Sequence, residues 1–209
     1  MVNYGIIITC FVVFIWQSMG GYNHFLFSLY GFGVIPSRIL RGTGYYTFIT
    51  SIFLHGGWSH LLGNMLFLWV FGDNIEDCCG HARYVLLYLT SGFAASVFWL
   101  MTDMGAQYPA VGASGAISGV LGAYFVLYPS ALIKTLVGYG FWIRVVRVPA
   151  YMMIGLWFIY QFLLALVPGN TGIAYWAHVG GFIAGLLLAR IIKKTISPGR
   201  PIYDLEFYR

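Results

Sequence analysis

Long apolar runs separated by short links dominate the chain. Six of them, near residues 4–21, 57–75, 82–101, 113–129, 148–167 and 173–192, are long enough, or nearly so, to be membrane-crossing helices. A hydrocarbon core of about 30 Å takes about 20 helical residues to cross. The pattern predicts an all-α membrane protein, a bundle of six transmembrane helices. An even number of crossings puts both termini on one side. That side then holds Arg83, Lys134, Arg144, Arg147, Arg190, Lys193, Lys194, Arg200 and Arg209, nine of the eleven Lys and Arg, while Arg38 and Arg41 lie opposite. The positive-inside bias makes the termini cytoplasmic and turns the loops 22–56, 102–112 and 168–172 outward. Residues 1–193 are expected to form one membrane domain and 194–209 a short cytoplasmic tail, with no internal repeat and no appended soluble domain.

Composition sharpens this picture. Hydrophobic residues make up 60% of the chain and charged ones 8%, against roughly a quarter charged in an average soluble domain. The opening apolar run has no basic n-region and no small-residue cleavage site, so it is expected to be a retained helix and not a removed signal. The net charge of +5 does not argue for nucleic acid, because the basic residues gather near helix ends where topology explains them. Cys10, Cys78 and Cys79 form no disulfide framework. The first outward loop, "YNHFLFSLYGFGVIPSRIL", is too aromatic for free solution and too broken by Gly and Pro for a spanning helix; it is expected to lie along the membrane interface.

Against this background "VGASGAISG", residues 111–119, is unusual: a hydroxyl among small residues at the outer end of the fourth helix. His178, in "AYWAHVGGFIAG", sits a turn or two into the sixth helix from the same side. At 1.5 Å rise per residue both lie within about 10 Å of the outer interface. Gly115, Gly119 and Gly122 make one small-residue seam, and His178, Gly181 and Gly185 make another, so the two helices can approach closely. Such seams ordinarily serve packing. A histidine in one seam and a serine beside the other add chemistry, since a neutral imidazole about 3 Å away can take the serine proton. On the second helix, "HGGWSHLLGN" puts His60 and Asn64 one turn apart on one face, where both can donate to a developing oxyanion, with the Ser114 backbone N–H as a further donor. His55 points elsewhere and reads as a loop anchor. No H-E-x-x-H zinc site and no aspartyl pair lies within the spans, and the outward carboxylate Asp103 is a loop residue, so a Ser-His dyad is expected.

"FLHGGWSHLLGNMLFLWVFGDNIEDCCG", "GASGAISGVLGAY" and "AHVGGFIAG", in this order on helices two, four and six, resemble the rhomboid intramembrane serine proteases, and the resemblance covers nearly the whole chain. It implies a rhomboid-type six-helix fold with a long membrane-associated first outward loop. It also implies Ser114 as nucleophile, His178 as general base and then acid, and His60, Asn64 and the Ser114 amide as the oxyanion hole. The substrate implied is a transmembrane segment of another membrane protein, cut near the outer surface of a plasma or inner membrane, with no metal or organic cofactor. Two positions depart from the family pattern. Tyr46 and Thr47 stand where many members have a Trp-Arg pair, and Ser118 stands where many have an aromatic residue under the imidazole, which leaves the group that orients His178 unidentified.

The polar cluster "GDNIEDCCGH" matches no zinc spacing, and its Gly72, Asn74 and Gly80 fit a solvated turn between helices two and three. Two other readings compete with a protease. An inactive relative that binds membrane helices is weighed against by the presence of both dyad members. A transporter ordinarily carries ionisable carboxylates or lysines deep in its spans, and the sequence shows none.

Overall fold

The computed structural model describes residues 1–139, 142–167 and 172–195. Of the loop 168–172 and the tail 194–209, only Gly172, Lys194 and Thr195 fall within this set. The chain is mostly helical. Helix α1 (Val2–Met19) leads into α2 (Gly21–Phe32) and two single turns, α3 (Pro36–Ile39) and α4 (Thr47–Thr50), the latter followed by a 3₁₀ turn at Ser51–Phe53. Next come α5 (Trp58–Phe67), a π-turn at Leu68–Gly72, α6 (Asp73–Cys79), α7 (His81–Thr102) and α8 (Ser114–Leu127). The strands β1 (Leu132–Tyr139) and β2 (Trp142–Pro149) and the helices α9 (Ala150–Leu166) and α10 (Tyr175–Thr195) complete the order. Among the described residues α1, α7 and α10 are long and apolar enough to cross a membrane; α8 and α9 are shorter apolar helices.

Helix α8 is the centre of the molecule. Every residue from Gly115 to Tyr124 is buried, so it lacks the single apolar stripe of a surface helix. Its glycines explain how it can be surrounded. A Cβ on Gly119 would strike Ser91 of α7, and one on Gly122 would lie 2.9 Å from the Leu186 nitrogen of α10. From the other side, a Cβ on Gly181 would overlap the Gly115 carbonyl and one on Gly185 the Gly119 carbonyl. The two small-residue rows therefore meet face to face, backbone against backbone.

The polar cluster is not a solvated turn. Asp73–Cys79 is helical, and of the three residues expected to turn, Gly80 alone has a positive φ, +83°. Glu76 is buried and its two oxygens accept the backbone N–H groups of Val2 (2.6 Å) and Asn3 (2.7 Å). A carboxylate thus caps the start of α1 from 73 residues away, where helix N–H groups have no partner of their own. The Asn3 side chain extends the knot by donating to Asp73 (2.7 Å) and the Leu68 carbonyl (3.0 Å), and it accepts from the Tyr84 hydroxyl (2.6 Å). The sequence missed this because an acidic link reads as solvated unless its distant partner is known.

The hairpin β1–β2 was also unforeseen. Its signal lies in two β-branched and aromatic runs flanking a glycine-rich junction. The strands pair antiparallel in full register from Leu132↔Pro149 to Tyr139↔Trp142. They lie beyond the C-terminus of α8, at the opposite end of that helix from Ser114.

Candidate active site

The segment before α8 is held by the first loop. Val34 and Ala110 exchange both backbone hydrogen bonds (3.0 and 2.9 Å), and the Gly112 N–H donates to the Ser51 carbonyl at 2.9 Å. The loop itself is tied with Tyr46 and Thr47 where the resembled pattern has a Trp-Arg pair. The Tyr46 hydroxyl donates to the Gly31 carbonyl (2.8 Å), Thr50 to that of Phe32 (2.7 Å), and Arg38 to that of Tyr30. His55 is fully buried, and its backbone N–H and carbonyl both bond the Gln17 side chain, at 3.0 and 3.3 Å, so it anchors the approach to α5.

A cavity of about 970 Å³ opens beside the start of α8, and Ser114, His178, His60, Asn64, Gln161 and Trp157 all line it. Within it, His178 Nε2 lies 2.9 Å from Ser114 Oγ. Helix α8 presents the serine in its first turn, where the dipole and the free N–H groups favour negative charge. The packing of α10 on α8 sets the imidazole distance, because the same seam continues from His178 through Gly181 and Gly185.

Helix α5 supplies the opposite wall. The Gly56 N–H donates to His60 Nδ1 at 3.3 Å, which leaves the ring proton on Nε2. A Cβ on Gly112 would lie 2.7 Å from that Nε2 and 3.7 Å from Asn64 Nδ2. With φ +126° as well, Gly112 is the one residue type that lets the backbone pass so close to both donors. Asn64 is buried, and its Nδ2 has no hydrogen-bond partner among the described residues. A buried donor without an acceptor is costly, and Asn64 lines the cavity.

The four residues singled out in the sequence therefore share one cavity, and two of them are in hydrogen-bond contact. Asp103 also lines the cavity, but its carboxylate accepts from the Tyr108 hydroxyl and not from His178. Ser118 turns its hydroxyl back to the Ser114 carbonyl at 2.7 Å. The neighbour the sequence did not identify is on α9. Gln161 Oε1 lies 2.7 Å from His178 Nδ1, and the Trp157 ring lies 6.3 Å from the imidazole, inclined by 33°. The available signal was a lone amide in the apolar run "AYMMIGLWFIYQFLLAL".

A family model described as the rhomboid domain matches residues 42–195, a stretch that contains all of these groups. The chain belongs to the rhomboid family. Its similarity extends to "RHOMBOID-like protein 5" of Arabidopsis thaliana, 31% identical over 184 residues, which covers 83% of this chain and 55% of the relative. "Rhomboid protein 1, mitochondrial" of Saccharomyces cerevisiae is 33% identical over 159 residues, covering 73% and 43%. "Rhomboid protease GluP" of Bacillus subtilis is 30% identical over 164 residues, covering 78% and 29%. The chain thus spans about half or less of the length of these relatives. As a rhomboid with long apolar helices, it is an integral membrane protein.

Proposed function

We propose that this rhomboid is an intramembrane serine endopeptidase that cleaves transmembrane segments of other membrane proteins near the outer membrane surface. The observation that carries the reading is the 2.9 Å contact between His178 Nε2 and Ser114 Oγ inside the cavity. In this mechanism His178 takes the hydroxyl proton as Oγ attacks the scissile carbonyl. Asn64 Nδ2, His60 Nε2 and the Ser114 amide donate to the oxyanion. The imidazolium then protonates the leaving amine, and the C–N bond breaks. Water, deprotonated by the same imidazole, hydrolyses the ester and returns the proton to Ser114.

The topology that goes with this reading has six crossings, both termini cytoplasmic and the 22–56 and 102–112 loops outward. Helix α8 has 14 residues, about 21 Å at 1.5 Å each, less than a core of about 30 Å. A helix that short, with its C-terminal end at the inner surface, starts below the outer surface. Ser114 then lies within the outer leaflet, and a substrate helix must unwind locally to present a carbonyl there.

Labelling of the detergent-solubilised protein by a fluorophosphonate, together with cleavage of a reconstituted transmembrane substrate, tests the proposal. Ser114→Ala and His178→Ala are each expected to abolish cleavage, with the double variant little worse, because the pair acts as a unit. Asn64→Ala is expected to slow it about 10- to 1,000-fold. A rhomboid that binds membrane helices without cutting them would give no labelling in the wild type, and substantial turnover in Ser114→Ala would end the serine mechanism.

A further inference from the structure

Little of helix α9 is buried: Ala150, Ile154 and Gln161 are its buried residues. An amide buried in an apolar helix is costly unless it is bonded, since lipid offers no partner. Gln161 is 8% exposed, faces the cavity and meets one ring: its Oε1 lies 2.7 Å from His178 Nδ1. Trp157, one turn earlier on the same helix face, lies beside that ring. Ser118, at the position from which an aromatic would support the imidazole, is engaged with the Ser114 carbonyl.

We infer that Gln161 is the positioning residue of this active site, so that Ser114, His178 and Gln161 form a hydrogen-bonded chain across α8, α10 and α9. The inference rests on the protease reading. The Gln161 carbonyl accepts the Nδ1 proton of the neutral imidazole. That fixes the tautomer with the lone pair on Nε2, the atom that faces Ser114, and restrains rotation of the ring. An amide performs this without placing an unpaired carboxylate among lipid-facing helices, where charge is expensive. It also stabilises the imidazolium less than a carboxylate would. The gain is therefore in geometry and tautomer, and it belongs to kcat. Trp157 supplies the apolar wall that Ser118 cannot.

The test uses the full chain in proteoliposomes with Gln161→Leu and Gln161→Glu. Gln161→Leu is expected to lower kcat about 10- to 100-fold, the scale on which a loosened catalytic group costs rate. KM should stay within about two-fold and Tm should change little, because the bond lost at His178 Nδ1 is offset by an apolar residue replacing a buried amide. Gln161→Glu keeps an acceptor, so it should retain more activity than Gln161→Leu. It should also move the acid limb of the pH–rate profile to higher pH, because a carboxylate favours the imidazolium. A purely structural glutamine would move Tm and leave the profile where it was. A second measurement needs no turnover: nitrogen NMR of histidine-labelled protein should show the Nδ1–H tautomer of His178 in the wild type and a mixture in Gln161→Leu. Wild-type kcat in Gln161→Leu, or an Nε2–H tautomer in the wild type, would overturn the inference. A wild type that shows the expected tautomer yet fails to label at Ser114 would instead overturn the protease reading.

Discussion

Single residues in this protein act mainly by filling vacancies that helices create. Glu76 is the clearest. Burial pushes its carboxyl up, but the N–H groups of Asn3 and Val2 and the His81 ring pull it further down, to a net value below the ordinary carboxylate range. A group held low in the folded state stabilises fully above its unfolded pKa and loses that contribution as pH falls through the folded value. Thermal unfolding should therefore be flat near neutral pH and fall steeply on the acid side of the carboxylate range. Glu76→Gln should lower Tm at pH 7, by roughly 1–3 kcal/mol in stability, and flatten the acid slope. Equal slopes for the two proteins would show that the cap on α1 does not depend on the charge. The sequence could not supply this pairing, nor that of Gln161 with His178, because neither partner is near in the chain or related by a helical repeat. Ser114 and His178 were legible because depth along two helices can be counted residue by residue. The roles proposed for them follow from the family resemblance.

At the scale of elements, the contact of α8 with α10 is governed by glycine. In lipid there is no hydrophobic drive to bring helices together, so close backbone approach has to do it. Gly185→Ala places a methyl against the Gly119 carbonyl, and it is expected to lower Tm and cut activity at least ten-fold, since overpacking costs about 1–3 kcal/mol and shifts His178 away from Ser114. Gly155→Ala on α9 is the control. Among the described residues its Cβ would meet only Phe125 Cε2, at 3.7 Å, so a stability equal to or above wild type is expected. Similar losses in both variants would show that helix flexibility, and not the seam, is at issue. Helix positions were read from apolar length, which is why α1, α7 and α10 agree well with the expected spans. The same reading passed over β1–β2, because strands of eight residues are too short to register as runs of about 20 apolar residues.

For the molecule as a whole, the glycine seam is expected to make peptide continuity between Ser114 and His178 dispensable. Ser114 lies before the hairpin and His178 after it, so a chain opened between β1 and β2 would carry the nucleophile on one piece and the base on the other. Backbone-to-backbone contact holds α8 to α10 without any link through the hairpin, and α7 packs against both. Two separately expressed pieces, residues 1–140 and 141–209, should therefore find each other in the membrane, copurify in mild detergent and recover labelling at Ser114. Pieces that each insert but never associate would show that the covalent connection is what brings the dyad together. If they do associate, this rhomboid is a protein assembled from two membrane-inserted parts that happen to be translated as one.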